Sequence, residues 1–355
     1  MKKKFLGLII PALVLSLTAG TALAAKLLLI NGAGATFPYP LYSKWFYEYT
    51  KVDESVNFNY QSIGSGGGIR QITAQTVDFG ASDGALTDEQ LKQAPGELLH
   101  IPMTAGAVVI TYNISGVKEH LRLSPDVVAD IFLVKITKWN SSRIAADNPG
   151  ITLPDKNIVV AHRSDGSGTT NIFTDYLSSV SSTWKSRVGK GTSVDWPVGL
   201  GGKGNEGVAG LVKQTPGAIG YVEYAYAKQN KMTSVNMINK DGKAVEPSAS
   251  AFQAAAANAD WEKADHYYVI LTDQPGATSW PIAGATFILI HTQPQDPAAA
   301  TEALKFFAWA YKKGSKMAEE LDYVPMPDKV VTAIQKMWTA EIKDGSGKPL
   351  FDASN

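Results

Sequence analysis

The sequence predicts an α/β fold of two lobes with mostly parallel sheets. Three observations lead there. Strand-like runs alternate with helix-like ones almost end to end. The length, 355 residues, is more than one hydrophobic core usually organises. Three short Gly/Ser/Thr loops each open directly onto an amphipathic helix, and one of them follows an apolar strand-like run, the place where open α/β sheets gather their ligands.

Residues 1–24 read as a secretory leader. Lys2, Lys3 and Lys4 form a basic start, Phe5 to Leu17 an apolar segment, and Ala22-Leu23-Ala24 a small-residue cleavage site,. The apolar segment is too short for a retained membrane span and contains Pro11,. No Cys follows the cleavage site, so the mature chain, starting near Ala25, is expected to be a soluble monomer without a lipid anchor. Strands are expected at Lys26–Ile30, Val56–Tyr60, Val77–Ala81, Ala107–Tyr112, Ile158–Ala161, Ala218–Val222 and Phe287–His291,. Helices fill the gaps after the three loops and at Gly207–Lys213, Ala303–Lys312 and Lys329–Ile342,. Gly199–Gly204 and Asp344–Pro349 read as exposed turns,. Thr104–Tyr112 and Ile282–His291 are the candidates for chain crossings between the lobes.

The first loop is Gly32-Ala33-Gly34-Ala35-Thr36-Phe37, ahead of Leu41, Tyr42, Trp45, Phe46 and Tyr49. The second is Gly64-Ser65-Gly66-Gly67-Gly68, ahead of Ile69, Ile72, Thr76 and Val77. The third is Arg163-Ser164-Asp165-Gly166-Ser167-Gly168-Thr169-Thr170, ahead of Ile172, Phe173, Tyr176, Leu177 and Val180. A helix start offers unpaired N–H groups and the positive end of the helix dipole, so it suits an anion. Any one of these loops is an ordinary helix cap. Three together, the last with a built-in Arg, point to a buried tetrahedral oxyanion. Asp83 is a carboxylate that could cap a helix starting near Thr87 or face such an anion,.

Charge and missing motifs narrow the function. The chain carries 33 Lys+Arg against 33 Asp+Glu, and without the leader's lysines 30 against 33, a net −3. That argues against a nucleic-acid or membrane-surface binder. With no Cys at all, neither disulfides nor thiol chemistry is available. Gly201-Gly202-Lys203-Gly204 lacks the rest of a nucleotide loop, and Phe37 stands where a dinucleotide fingerprint needs its third Gly,. The five His show no metal-ligand spacing,. His162 sits next to Arg163 at a strand end, where alternation points it away, toward a stacking or surface role. No cofactor, metal or catalytic residue is expected. From the residues alone, other oxyanions and a phosphatase holding its substrate stay open.

Longer strings carry a resemblance. Gly32 to Pro38, Val77-Asp78-Phe79-Gly80-Ala81-Ser82-Asp83, Arg163 to Thr169, Trp196 to Asn205, Pro216 to Ala227 and Thr286 to His291 resemble, in order and over essentially the whole mature chain, the periplasmic phosphate-binding proteins of phosphate ABC transporters. The resemblance implies a type II periplasmic-binding fold, with lobe I from 25–104 plus 283–355 and lobe II from 105–282. It implies inorganic phosphate as ligand and delivery to a membrane permease with its ATPase subunits. It places the phosphate contacts on Thr36, Phe37 (through its backbone), Ser65, Asp83, Arg163, Ser167, Gly168 and Thr169, with Asp165 supporting the Arg. Gly66 stands where many members carry a second Ser, and His162 where Arg is frequent.

Overall fold

The computed structural model describes residues 27–117, 120–259, 268–269 and 271–352. The leader 1–24, the expected mature start at Ala25 and Lys26 of the first expected strand lie outside these. Among the described residues no helix is long and apolar enough to cross a membrane.

The sheet is assembled from two parallel halves. In the first, Leu28–Gly34 lies between Val56–Ser62 and Phe79–Ser82, parallel to both. Gly32 is needed there for packing: a Cβ on it would sit 2.0 Å from the ring of Phe79, its partner on the neighbouring strand. In the second half, Val159–Arg163 lies between Leu200–Gly202 and Ala218–Glu223, again parallel to both. The parallel pairing expected of a βα chain holds among these three outer strands of each half.

The centre of the sheet is antiparallel, because the strands that join the halves run against their neighbours. Leu98–Tyr112 is 15 residues long and buried throughout. Its first part, Leu98–Ala107, pairs with Ala283–His291. Its second, Val108–Tyr112, pairs with Ala218–Glu223. The expected crossing at Thr104–Tyr112 falls inside this strand. Ala283–His291 stays with the first half throughout its register, and the chain reaches it through Ile282, whose carbonyl accepts from Val108 N at 2.8 Å.

The helices follow their apolar faces. Tyr39–Tyr49 buries Leu41, Tyr42, Trp45, Phe46 and Tyr49, the residues its periodicity selects,. Ser65–Thr73 buries Ile69 and Ile72 and stops before Thr76 and Val77. Gly168–Val180 buries Ile172, Phe173, Tyr176 and Leu177. Each half keeps an aromatic core. Phe46, Phe58 and Phe306 stack with centroids 4.4–5.1 Å apart in one. Phe173 lies 4.8 Å from Phe132 and 4.4 Å from Tyr221 in the other. Each such ring removed from water stabilises the fold by about 1.5–3 kcal/mol.

One expected turn is not one. Leu200–Gly202 is a strand, paired with Ala161–Arg163. Gly202 makes this possible, since a Cβ there would lie 2.6 Å from the Gly207 carbonyl carbon. The next helix starts earlier than expected, at Gly204, and runs to Gln214.

Candidate functional site

The three loops meet where the halves face each other. Thr36 and Phe37 leave the carboxyl end of Leu28–Gly34 and enter the helix Tyr39–Tyr49. Phe37 is fully buried and turns its ring into the core, 6.2 Å edge-on from Tyr323, which leaves only its backbone N–H to serve a ligand. Two tyrosines pin this turn from behind. Tyr226 Oη donates to the Thr36 carbonyl at 2.7 Å, and Tyr323 Oη to the Phe37 carbonyl at 2.7 Å.

The second and third loops touch directly. Gly66 N donates to the Gly166 carbonyl at 2.9 Å. Gly168 N donates to Ser65 Oγ at 3.0 Å. Glycine is required at this seam. Gly64 has φ +83°, and a Cβ on Gly66 would lie 3.0 Å from Gly166 Cα,. The departure at Gly66 is therefore a close backbone approach, not merely a missing hydroxyl.

Arg163 ends its strand with a side chain only 1% exposed. Asp165 grips it twice, taking Nε on Oδ1 at 2.8 Å and Nη2 on Oδ2 at 2.6 Å. Burial pushes the Asp165 carboxyl up, but the bonds and charge of Arg163 outweigh it and hold the group below the usual carboxylate range,. Gly204 N adds a third donor to Asp165 Oδ1 at 3.2 Å. Ser167 caps the helix Gly168–Val180, its Oγ accepting from Thr170 N at 3.0 Å,.

Asp83 is buried among these donors. Its Oδ1 accepts from Thr286 Oγ1 at 2.8 Å, and Oδ2 stands 3.5 Å from Ser65 Oγ. Burial pushes its carboxyl up to about 7, against the pull of Thr286, Arg163 and Ser65. It does not cap a helix: Asp88–Gln93 is capped by Thr87, whose Oγ1 accepts from Gln90 N at 3.3 Å. His162 stacks on Trp196, centroids 4.9 Å apart, beside the start of the third loop.

The structure brings Ser65, Asp83 and Gly168 into direct contact, links Thr36, Thr169, Arg163 and Asp165 in a second chain of hydrogen bonds, and adds other residues. Thr286 comes from the strand Ala283–His291. Asn205, fully buried, links Thr36 Oγ1 at 2.8 Å with Thr169 Oγ1 at 3.2 Å. Glu223 is buried nearby, its Oε2 accepting from Ala225 N at 2.9 Å, and burial holds its carboxyl well above the usual range. Asn205 stands on the first turn of the helix Gly204–Gln214, which opens at a glycine with φ +72°.

Helix starts, hydroxyls, one clamped Arg and one acceptor carboxylate, meeting between two half-sheets, define a class: a two-lobed oxyanion-binding protein. A family model described as a PBP superfamily domain matches residues 18–313. The phosphate-binding protein PstS of Pasteurella multocida is 51% identical over 342 residues, 96% of this chain and 98% of that one. That of Haemophilus influenzae is 49% identical over 328 residues, 92% and 97% of the two chains. The solved structure of a phosphate binding protein from Stenotrophomonas maltophilia aligns with a TM-score of 0.66 at 19% identity, over 91% of this chain and 98% of that one, and supports the fold. The chain belongs to the PBP superfamily and, within it, to the PstS family of phosphate-binding proteins.

Proposed function

We propose that the cleft binds inorganic phosphate and releases it to the permease of an ABC importer, with Thr36, Phe37, Ser65, Asp83, Arg163, Ser167, Gly168 and Thr169 as its contacts and Asp165 holding Arg163. The observation that carries this is Asp83. A carboxylate aimed at an anion repels it unless the anion brings a proton to share. Phosphate does so at neutral pH and sulfate does not. The PstS relatives, at about half identity over nearly their whole length, bear the same ligand in their name.

The remaining contacts are donors. Arg163 supplies the formal charge in a fork that Asp165 keeps planar to the ligand. Ser65 Oγ already accepts from Gly168 N and Asp83 N, and Ser167 Oγ from Thr170 N. The Ser167 O–H is thus left to give, while the Ser65 O–H is turned to Asp83 Oδ2 at 3.5 Å. A buried dianion held largely by dipoles is stable only when nearly all its lone pairs are met.

The reading extends to place and partners. The leader 1–24 exports the chain to the periplasm, where it works as a soluble monomer. The lobes are 25–104 plus 283–355 and 105–282; the long strand changes its pairing partner a little beyond that boundary, between Ala107 and Val108. Lobe closure binds phosphate and opening at the permease, driven by its ATPase subunits, frees it. No bond is made or broken.

Calorimetry of the mature protein with phosphate and with sulfate tests the reading. One phosphate per chain and far weaker sulfate are expected at about pH 9, where Asp83 is ionised. Equal affinities would overturn it.

A further inference from the structure

We infer that Asn205 is a positioning residue that turns the hydroxyl protons of Thr36 and Thr169 toward the bound anion. The inference rests on the phosphate reading of the cleft.

The orientation of the amide is fixed by its surroundings. Asn205 Oδ1 lies 2.9 Å from the backbone nitrogen of Glu223. That N–H can only donate, so the atom facing it must be the amide oxygen. Nδ2 is then forced toward the two hydroxyls, Thr36 Oγ1 at 2.8 Å and Thr169 Oγ1 at 3.2 Å.

An amide NH2 has two protons to give and cannot accept. Both threonine oxygens therefore act as acceptors toward Asn205. Each is met by a second donor, Thr36 by Asn205 N at 3.3 Å and Thr169 by Arg163 Nη1 at 3.4 Å. With both lone pairs engaged, each hydroxyl has only its proton left to offer. Two rotors that could have presented lone pairs to an anion are held as donors before it arrives, so little reorganisation is needed on binding.

The placement adds a condition. Thr36 belongs to the first half of the molecule, Asn205 and Thr169 to the second. Thr36 is polarised by Asn205 only when the halves meet, so closure and the readiness of this donor come together.

Two substitutions test the inference, with phosphate binding measured by calorimetry. Asn205→Asp keeps the size but replaces the donor pair with acceptors, drawing both hydroxyl protons away from the anion and adding a negative charge. Affinity should fall by about a hundredfold or more at about pH 8. It should recover relative to the parent as the pH is lowered and the introduced carboxyl gains a proton. Asn205→Ala should cost about tenfold with no such recovery. In a Thr36→Val background the Ala substitution should cost only about threefold, since one of its two clients is gone. A purely structural residue would cost the same in both backgrounds and show no recovery at low pH.

Should the Asp variant not fold, the Ala cycle decides by itself. If the parent binds phosphate and Asn205→Ala stays within about twofold of it, or costs the same with and without Thr36, the inference is overturned while the site stands. If the parent does not bind phosphate, the site reading falls and takes this one with it.

Discussion

Sulfate binding should carry a pH dependence that phosphate binding lacks, and Asp83→Asn should erase it. Asp83 holds one carboxylate oxygen on Thr286 at 2.8 Å and keeps the other beside Ser65 and Gly168. Phosphate can share its proton with that second oxygen. Sulfate must either face an ionised carboxylate or wait until the carboxyl has taken up a proton. The first route costs about 4 kcal/mol for unit charges ~4 Å apart at an effective dielectric of ~20. The second starts from a carboxyl that burial pushes up to about 7. Protonating it costs about 1.4 kcal/mol for each pH unit above that value. At about pH 9 this amounts to about 3 kcal/mol, less than the repulsion, so protonation sets the penalty.

The sign follows from the raised value. Below about 7 the carboxyl holds its proton and can donate, so sulfate competes there. Above it the group is ionised and sulfate is progressively shut out. Sulfate affinity of the parent should fall about tenfold per pH unit between about pH 7 and pH 9. Over the same range phosphate should change little, because it keeps a proton throughout. In Asp83→Asn the amide donates at any pH, and the sulfate curve should be flat. Titrating phosphate against sulfate by calorimetry at three pH values reads all four curves. A parent whose sulfate affinity ignores pH, or an Asn variant that keeps the slope, refutes the reasoning.

Arg163→Lys should weaken phosphate binding by about 2–5 kcal/mol, because a point charge cannot keep both bonds to Asp165; parent-like affinity in calorimetry would place Arg163 outside the ligand. Gly168→Ala introduces a methyl 2.5 Å from Asp83 Cβ and 2.6 Å from Ser65 Oγ. The overpacking should cost closure about 1–3 kcal/mol, visible as weaker binding in a tryptophan-fluorescence titration, and unchanged binding would show that the loops meet otherwise. Tyr323→Phe removes the donor to the Phe37 carbonyl. A stability loss of about 1–3 kcal/mol in urea unfolding is expected, and a parent-like midpoint would count against that bond.

What the sequence could reveal was local. The helix Tyr39–Tyr49 was readable because its five buried residues recur at helical spacing, and the loops because Gly, Ser and Thr mark helix starts. The strand ending at Tyr112 was expected to begin at Ala107, yet it begins at Leu98. Pro102 and the small residues Thr104 to Gly106 hide its first part, and Pro102 fits because the register shifts there, between Thr286 and Phe287,. Asp83 was legible as a carboxylate but not as a buried one. Asn205 and Thr286 could not be found by spacing, since Asn205 meets partners 169 and 36 residues away and Thr286 one 203 residues away. Tyr226 and Tyr323 look like ordinary core aromatics until their hydroxyls are seen on the first loop.

The strand Leu98–Tyr112 has a consequence for how the molecule comes apart. It lends one stretch of its ladder to each half, so neither sheet is complete without it, and melting either half strips partners from the other. Heat or denaturant should meet a single cooperative transition, with both aromatic cores lost together. The same shared beam means that a gene fragment encoding one lobe would lack an inner strand, with a raw edge open to aggregation. Because both halves pair with this strand, neither should fold when truncated or engineered as a separate part,.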